Sequence, residues 1–124
     1  MTGETMAGGP ALQDLKAFEE VGVLIVSSGG VVLHANDTFL EEFGWKRDVI
    51  EGSPMIRIIP PSYRDSHNLA FARFLSRGSG SILGQPLSLP VLTGSGQSRL
   101  AELCIFAERV RDEEWRFGAT IQPC

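Results

Sequence analysis

The chain has 124 residues, 43% of them hydrophobic, enough for one domain with its own core and too few for two. Its formal charge is −4 and its Lys and Arg are scattered, so it offers no basic face to a polyanion and nucleic acid is not expected as a partner. No apolar run approaches the roughly 18 residues of a membrane helix, the opening "MTGETMAGG" lacks the parts of a secretion signal, and Cys104 and Cys124 form neither a disulfide framework nor a metal-ligand spacing; no membrane contact and a reducing, cytoplasmic setting are expected.

Residues 1–9 carry glycines without an apolar period and read as a disordered leader, ahead of a single domain over residues 10–124. In "PALQDLKAFEEVG", Leu12, Leu15 and Phe18 recur every three residues after a proline suited to a first helical turn, which predicts a short amphipathic helix. Its stripe packs either on its own domain or in a dimer contact. "VGVLIVS" and "GVVLHAN" are β-branched runs parted by "SSGG", the pattern of an antiparallel hairpin. "NDTFLEEFGW" opens on capping residues, sets Phe39 and Phe43 four apart and stops at Gly44, a short helix with a glycine end. "KRDVIEG" and "PMIRIIPP" follow as short helical turns punctuated by glycine and proline.

"SYRDSHNLAFARFLSRG", residues 62–78, reads as the long helix, with His67 on a face shared by Ala70, Phe71, Phe74 and Leu75. An imidazole so placed is either a core group bonded to a backbone carbonyl or a ligand. Beyond "RGSGS" the pattern turns to strand: "ILGQPLSLPVL", a "TGSGQS" turn, "RLAELCIFAERV", an acidic turn "RDEE", and "WRFGATIQ". Two strands, a block of helices and three strands make an α+β fold, most economically a five-stranded antiparallel sheet with helices on one face and the N-terminal amphipathic helix beside it. The core is expected to gather Phe18, Val23, Ile25, Val32, Phe39, Phe43, Leu103 and Ile105.

Catalytic patterns are missing. "GSGQSR" lacks a third glycine and lies between strands, where a dinucleotide turn joins a strand to a helix. His34 has no Cys or carboxylate at zinc-ligand spacing, and the pairs Glu41–Glu42 and Glu113–Glu114 cannot both face one cleft. No Ser or Cys sits in a nucleophile elbow, so an enzyme is not expected.

The order of elements, headed by "GVLIVSSGGVVLHANDTFLEEFGWKRDVIEGSPM", resembles the PAS family of sensory domains over about residues 18–122. Asn36, Phe43, Gly44, Trp45 and Gly52 stand where that family has the Asn ending its second strand, the Phe-Gly-aromatic ending its short helix, and a later Gly. The resemblance implies a PAS fold and a signal-transduction role, as a homodimer coupled to an output domain or partner signalling protein.

The second half is similar to the haem-binding PAS domains of oxygen-sensing histidine kinases. Arg64, Asp65, His67, Phe71, Arg73 and Phe74 look like that subgroup's helix series, in which the His ligates iron. The resemblance implies haem b held through His67 as a diatomic gas or redox sensor, a propionate on Arg73, and walls from Phe71, Phe74, Ile82, Leu103 and Ile105. Ser95 and Gly96 fall on the subgroup's Asp-Gly turn, its distal Arg falls on Leu87, and its second propionate partner on Ser81. The flavin-binding light sensors of the same fold carry a Cys where this chain has Met55 and Ile56. The alternative is a haem-free module for dimerisation and relay, or one binding another small apolar ligand.

Overall fold

The structure, a computed structural model, describes residues 12–16, 18–77, 83–110 and 114–124. The expected leader, Ser81, Ile82 and most of the acidic turn lie outside the described residues. Helix α1 covers Leu12–Leu15, and Phe18 closes its end by donating its N–H to the Leu15 carbonyl. Strands β1 (Gly22–Ser27) and β2 (Val32–Ala35) form the expected antiparallel hairpin, with Gly30 at φ 83° in its turn.

Helix α2 (Asp37–Phe43) is bounded as its sequence dictates. The Asn36 side chain accepts from the Phe39 N–H, and Gly44 takes the left-handed conformation at φ 73°. Helix α3 (Arg47–Ile50) and 3₁₀ turns at Met55–Ile58 and Pro61–Tyr63 lead into helix α4, Arg64–Arg77. Strands β3 (Leu87–Leu92), β4 (Ser98–Val110) and β5 (Glu114–Pro123) complete the chain. The five strands form one antiparallel sheet in the order β2-β1-β5-β4-β3.

Strand β3 begins later than "ILGQPLSLPVL" suggests, because Gly84, at φ 76°, and Pro86 keep the chain in a turn. Pro90 is tolerated because β3 is an edge strand, where the missing N–H costs no ladder bond. Among the described residues, no helix is long and apolar enough to cross a membrane.

The sheet buries both of its faces. On the inner face, Leu24, Val26, Ala101, Phe117 and Ile121 join Phe39, Phe43, Ile50, Ile58 and Phe74 in the main core. On the outer face, Val23 and Ile25 pack with Phe106 beneath Leu15 of α1. Val23 and Ile25 therefore belong to a second cluster and not to one shared core, since alternate residues of β1 point to opposite faces. Phe18 is not a core residue: its side chain is 39% exposed. Its backbone is pinned instead, by the Leu15 bond and by a hydrogen bond from the Asn36 side chain to its carbonyl, which leaves the ring outside.

Candidate ligand-binding site

A cavity of about 390 Å³ lies between α4 and the inner face of the sheet. Its volume falls within the range of small-molecule sites. Strand β1 contributes Leu24 and Val26, β5 contributes Phe117, Ala119 and Ile121, and the first 3₁₀ turn closes one end with Met55 and Ile58. Alternation brings these strands' apolar residues to one wall: Leu24 pairs with Ala119, and Leu103 with Ile121.

Helix α4 forms the other wall with His67, Ala70, Phe71, Arg73, Phe74 and Arg77. At 3.6 residues per turn, His67, Phe71 and Phe74 share the side facing the sheet. Phe74 meets Phe117 and Trp115 edge-on, with ring centroids 5.1 and 4.9 Å away, and Phe71 lies 4.9 Å from Phe117. These rings hold α4 to β5 at the cavity's edge. Leu75, expected on the same face, is exposed, because it points about 100° away from Phe74.

The His67 ring stacks on Phe71 at 5.9 Å, with 15° between the planes. Its Nδ1 is buried and has no hydrogen-bond partner among the described residues. The carbonyl contact of a satisfied core histidine is thus not present at this atom. Burial lowers the His67 pKa, partly offset by the Asn68 side chain, which keeps the imidazole neutral near pH 7.

Of the residues picked out by resemblance, His67, Phe71, Arg73, Phe74, Leu103 and Ile105 come together around this cavity. Leu103 and Ile105 are half-buried rather than buried: both line the cavity, and Leu103 also packs against the main core. Leu87 does not line it; Leu89, two residues on and on the same face of β3, does. Ile82 lies outside the described residues. Arg64 is engaged elsewhere, since its Nε donates to the Ile59 carbonyl at 2.9 Å and ties the start of α4 to the preceding turn. Asp65 is exposed.

Sequence reasoning missed Met55, Arg77 and Phe117 as lining residues. Phe117 carried a signal, the alternation of "WRFGAT", whereas Met55 and Arg77 carried none beyond lying near the helix ends.

The histidine on β2 belongs to a different, surface cluster. His34 Nδ1 lies 3.9 Å from Glu51, which also pairs with Arg47, and Arg47 reaches Asp37. Burial lowers the His34 pKa, with Glu51 acting the other way. Cys104 lies beside the outer-face cluster, away from the cavity. No group of three or more metal-ligating side chains occurs among the described residues.

No protein-family model matches the sequence, and no curated protein matches it. Solved structures do match, PAS domains among them. The PAS domain of a Desulfitobacterium hafniense protein superposes with a TM-score of 0.69 at 19% identity, over 90% of this chain and 99% of that one. That of an HTR-like protein from Haloarcula marismortui gives 0.69 at 13% identity, over 91% and 88%. The PAS domain of the Cronobacter turicensis RpfR quorum-sensing receptor, in complex with C12:0, gives 0.64 at 15% identity, over 86% and 96%. The chain has the PAS fold.

Proposed function

We propose that this chain is a sensory signalling domain of the PAS family, that the cavity between α4 and the sheet takes a small, mostly apolar ligand, and that His67 supplies a polar contact inside it. The observation that carries the reading is the buried, unpartnered Nδ1 of His67 in a lining that is apolar apart from Arg73 and Arg77. Such an atom costs about 1–3 kcal/mol while it lacks a partner, which a bound hydrogen-bonding or metal-bearing group recovers. The RpfR domain, of the same fold, is in complex with C12:0, which supports a ligand of apolar character here.

Haem b is the finer form of this reading. The residues fit it in kind: His67 is a neutral imidazole on the cavity wall, the surrounding side chains are aliphatic and aromatic, and Arg73 is a cation beside them. When bound, haem would supply an iron centre for diatomic gas or redox sensing. Leu89, Leu103 and Ile105, on the sheet side of the cavity, carry no hydrogen-bond donor, so these side chains offer only apolar contact there.

The test is an absorption spectrum of the purified protein before and after adding hemin, for the natural chain and for His67→Ala. Stoichiometric uptake with a Soret band that depends on His67 is expected. Absence of uptake, or a spectrum indifferent to His67→Ala, would remove haem and leave another apolar ligand for the cavity.

Signal relay through a homodimer and an output domain is a second role, favoured by α1. Its Leu15 is fully buried on the outer face of the sheet, so the N-terminal segment is coupled to the strands whose other side lines the cavity. Phe18→Ser, which removes an exposed ring without uncovering Val23, Ile25 and Phe106, should leave a folded domain with weaker self-association in sedimentation, and unchanged association would take this segment out of the interface.

A further inference from the structure

We infer that the ligand of this cavity is an elongated amphiphile with a carboxylate head, the head held at the mouth by Arg73 and Arg77 and the apolar body lying inside along α4. The inference rests on the reading above that the cavity binds a ligand. It is carried by the way α4 distributes its residues.

At 3.6 residues per turn, Ala70, Arg73 and Arg77 fall within about 60° of one another, on the flank of α4 beside the buried stripe of Phe71 and Phe74. All three line the cavity and all three are exposed, so this flank is where the cavity meets solvent. The two guanidinium groups are one turn apart. Like charges at that spacing repel, and among the described residues neither is paired with a carboxylate. An anion placed between them removes the repulsion and accepts hydrogen bonds from both forks.

Among the described residues, nothing deeper in the cavity competes for that anion. The other lining residues are apolar or lack a side chain, except His67, and burial keeps its imidazole uncharged near neutral pH. A cationic head has no carboxylate to meet among them. His67 and Arg77 both line the cavity and are ten residues apart, about 15 Å along the helix. An apolar chain with its head at the arginines can therefore run beneath α4 as far as His67.

The experiment is calorimetric titration of the full chain with dodecanoate and with dodecan-1-ol, each below its aggregation threshold, alongside a hemin titration. Dodecanoate is expected to bind at one per chain and more tightly than the alcohol. Arg73→Gln and Arg77→Gln should each weaken dodecanoate about two- to fivefold, the scale of an exposed charge pair, and leave dodecan-1-ol unchanged, which also reports that the variants are folded. Equal affinity for acid and alcohol, or a double variant that binds dodecanoate as the natural chain does, would overturn the carboxylate head and leave the cavity as a ligand site. Stoichiometric hemin uptake without dodecanoate binding would overturn the elongated ligand in the same way. If none of the three compounds binds, the ligand-binding reading falls as well.

Discussion

Asn36 makes four hydrogen bonds with one side chain. Its Oδ1 accepts from Phe39 N–H at 3.0 Å and from Val23 N–H at 2.9 Å, while its Nδ2 donates to the carbonyls of Val21 and Phe18 at 2.9 and 3.2 Å. It caps α2 and fastens that helix to the start of β1. Asn36→Ala should therefore cost about 2 kcal/mol, at the upper end for a cap. Asn36→Asp keeps the cap acceptor but sets a carboxylate oxygen against the Val21 and Phe18 carbonyls and should also destabilise; urea denaturation of both variants checks this. The cap was legible from "NDTFLEEFG", but the bonds to Val21 and Val23 were not, because no local pattern says which strand lies against a cap. His67 leads to a second expectation. Burial lowers the folded-state pKa of His67 and of His34, so the folded chain binds fewer protons than the unfolded one once pH drops below the unfolded value near 6.5. Stability is full above that pH and is lost as pH falls through the lowered values. His67→Gln should flatten part of the loss between pH 7.5 and pH 5.5 in denaturation midpoints, leaving the part from His34, which faces Glu51, Lys16, Arg47 and Asp37. An equally steep loss in the variant would deny His67 its place in the acid response.

At the scale of elements, the "TGSGQS" turn between β3 and β4 is a docking point rather than a ligand loop. Gly94 donates its N–H to the Phe43 carbonyl at 2.9 Å, and the Trp45 indole N–H donates to the Leu92 carbonyl at 3.0 Å, so the turn sits on the end of α2. A Cβ at Gly94 would run into the Gly44 carbonyl oxygen, a backbone atom with no room to retreat. Gly94→Ala should destabilise the fold by about 1–3 kcal/mol. Gly29→Ala in the hairpin turn, where the nearest atom to a new Cβ is 3.8 Å away, should be close to neutral. Thermal unfolding of the two variants separates these outcomes, and equal midpoints would contradict the close approach of the two turns. The strands β1, β2, β4 and β5 were legible because β-branched runs and alternation are local signals. Phe18 and Leu75 were misplaced because three- and four-residue spacing marks a stripe without fixing its centre; Leu15 and Phe74 are the centres, and their neighbours point outward.

Across the whole molecule, one sheet separates two apolar environments, a packed cluster under α1 and a cavity under α4. Helix α4 is the loosely held partner: Phe74 is its only buried residue, whereas Leu69 and Leu75 face solvent. On the proposed reading, a ligand that fills the space beneath it would bias its position relative to β5. Much of this site was legible by resemblance, since His67, Phe71, Arg73 and Phe74 follow one helix and Leu103 and Ile105 one strand. The pairing of Leu89 rather than Leu87 with the cavity was not, because where β3 meets the cavity depends on where Gly84 and Pro86 release the chain into strand. The most direct test is a methyl ¹H–¹³C spectrum of the full chain titrated with dodecan-1-ol. Shifts are expected at Leu24, Val26, Leu89, Leu103 and Ile105 on the inner face, with Leu15, Val23 and Ile25 on the outer face unchanged or moving less. Shifts centred on the outer-face methyls, or none at saturating ligand, would contradict a ligand site under α4.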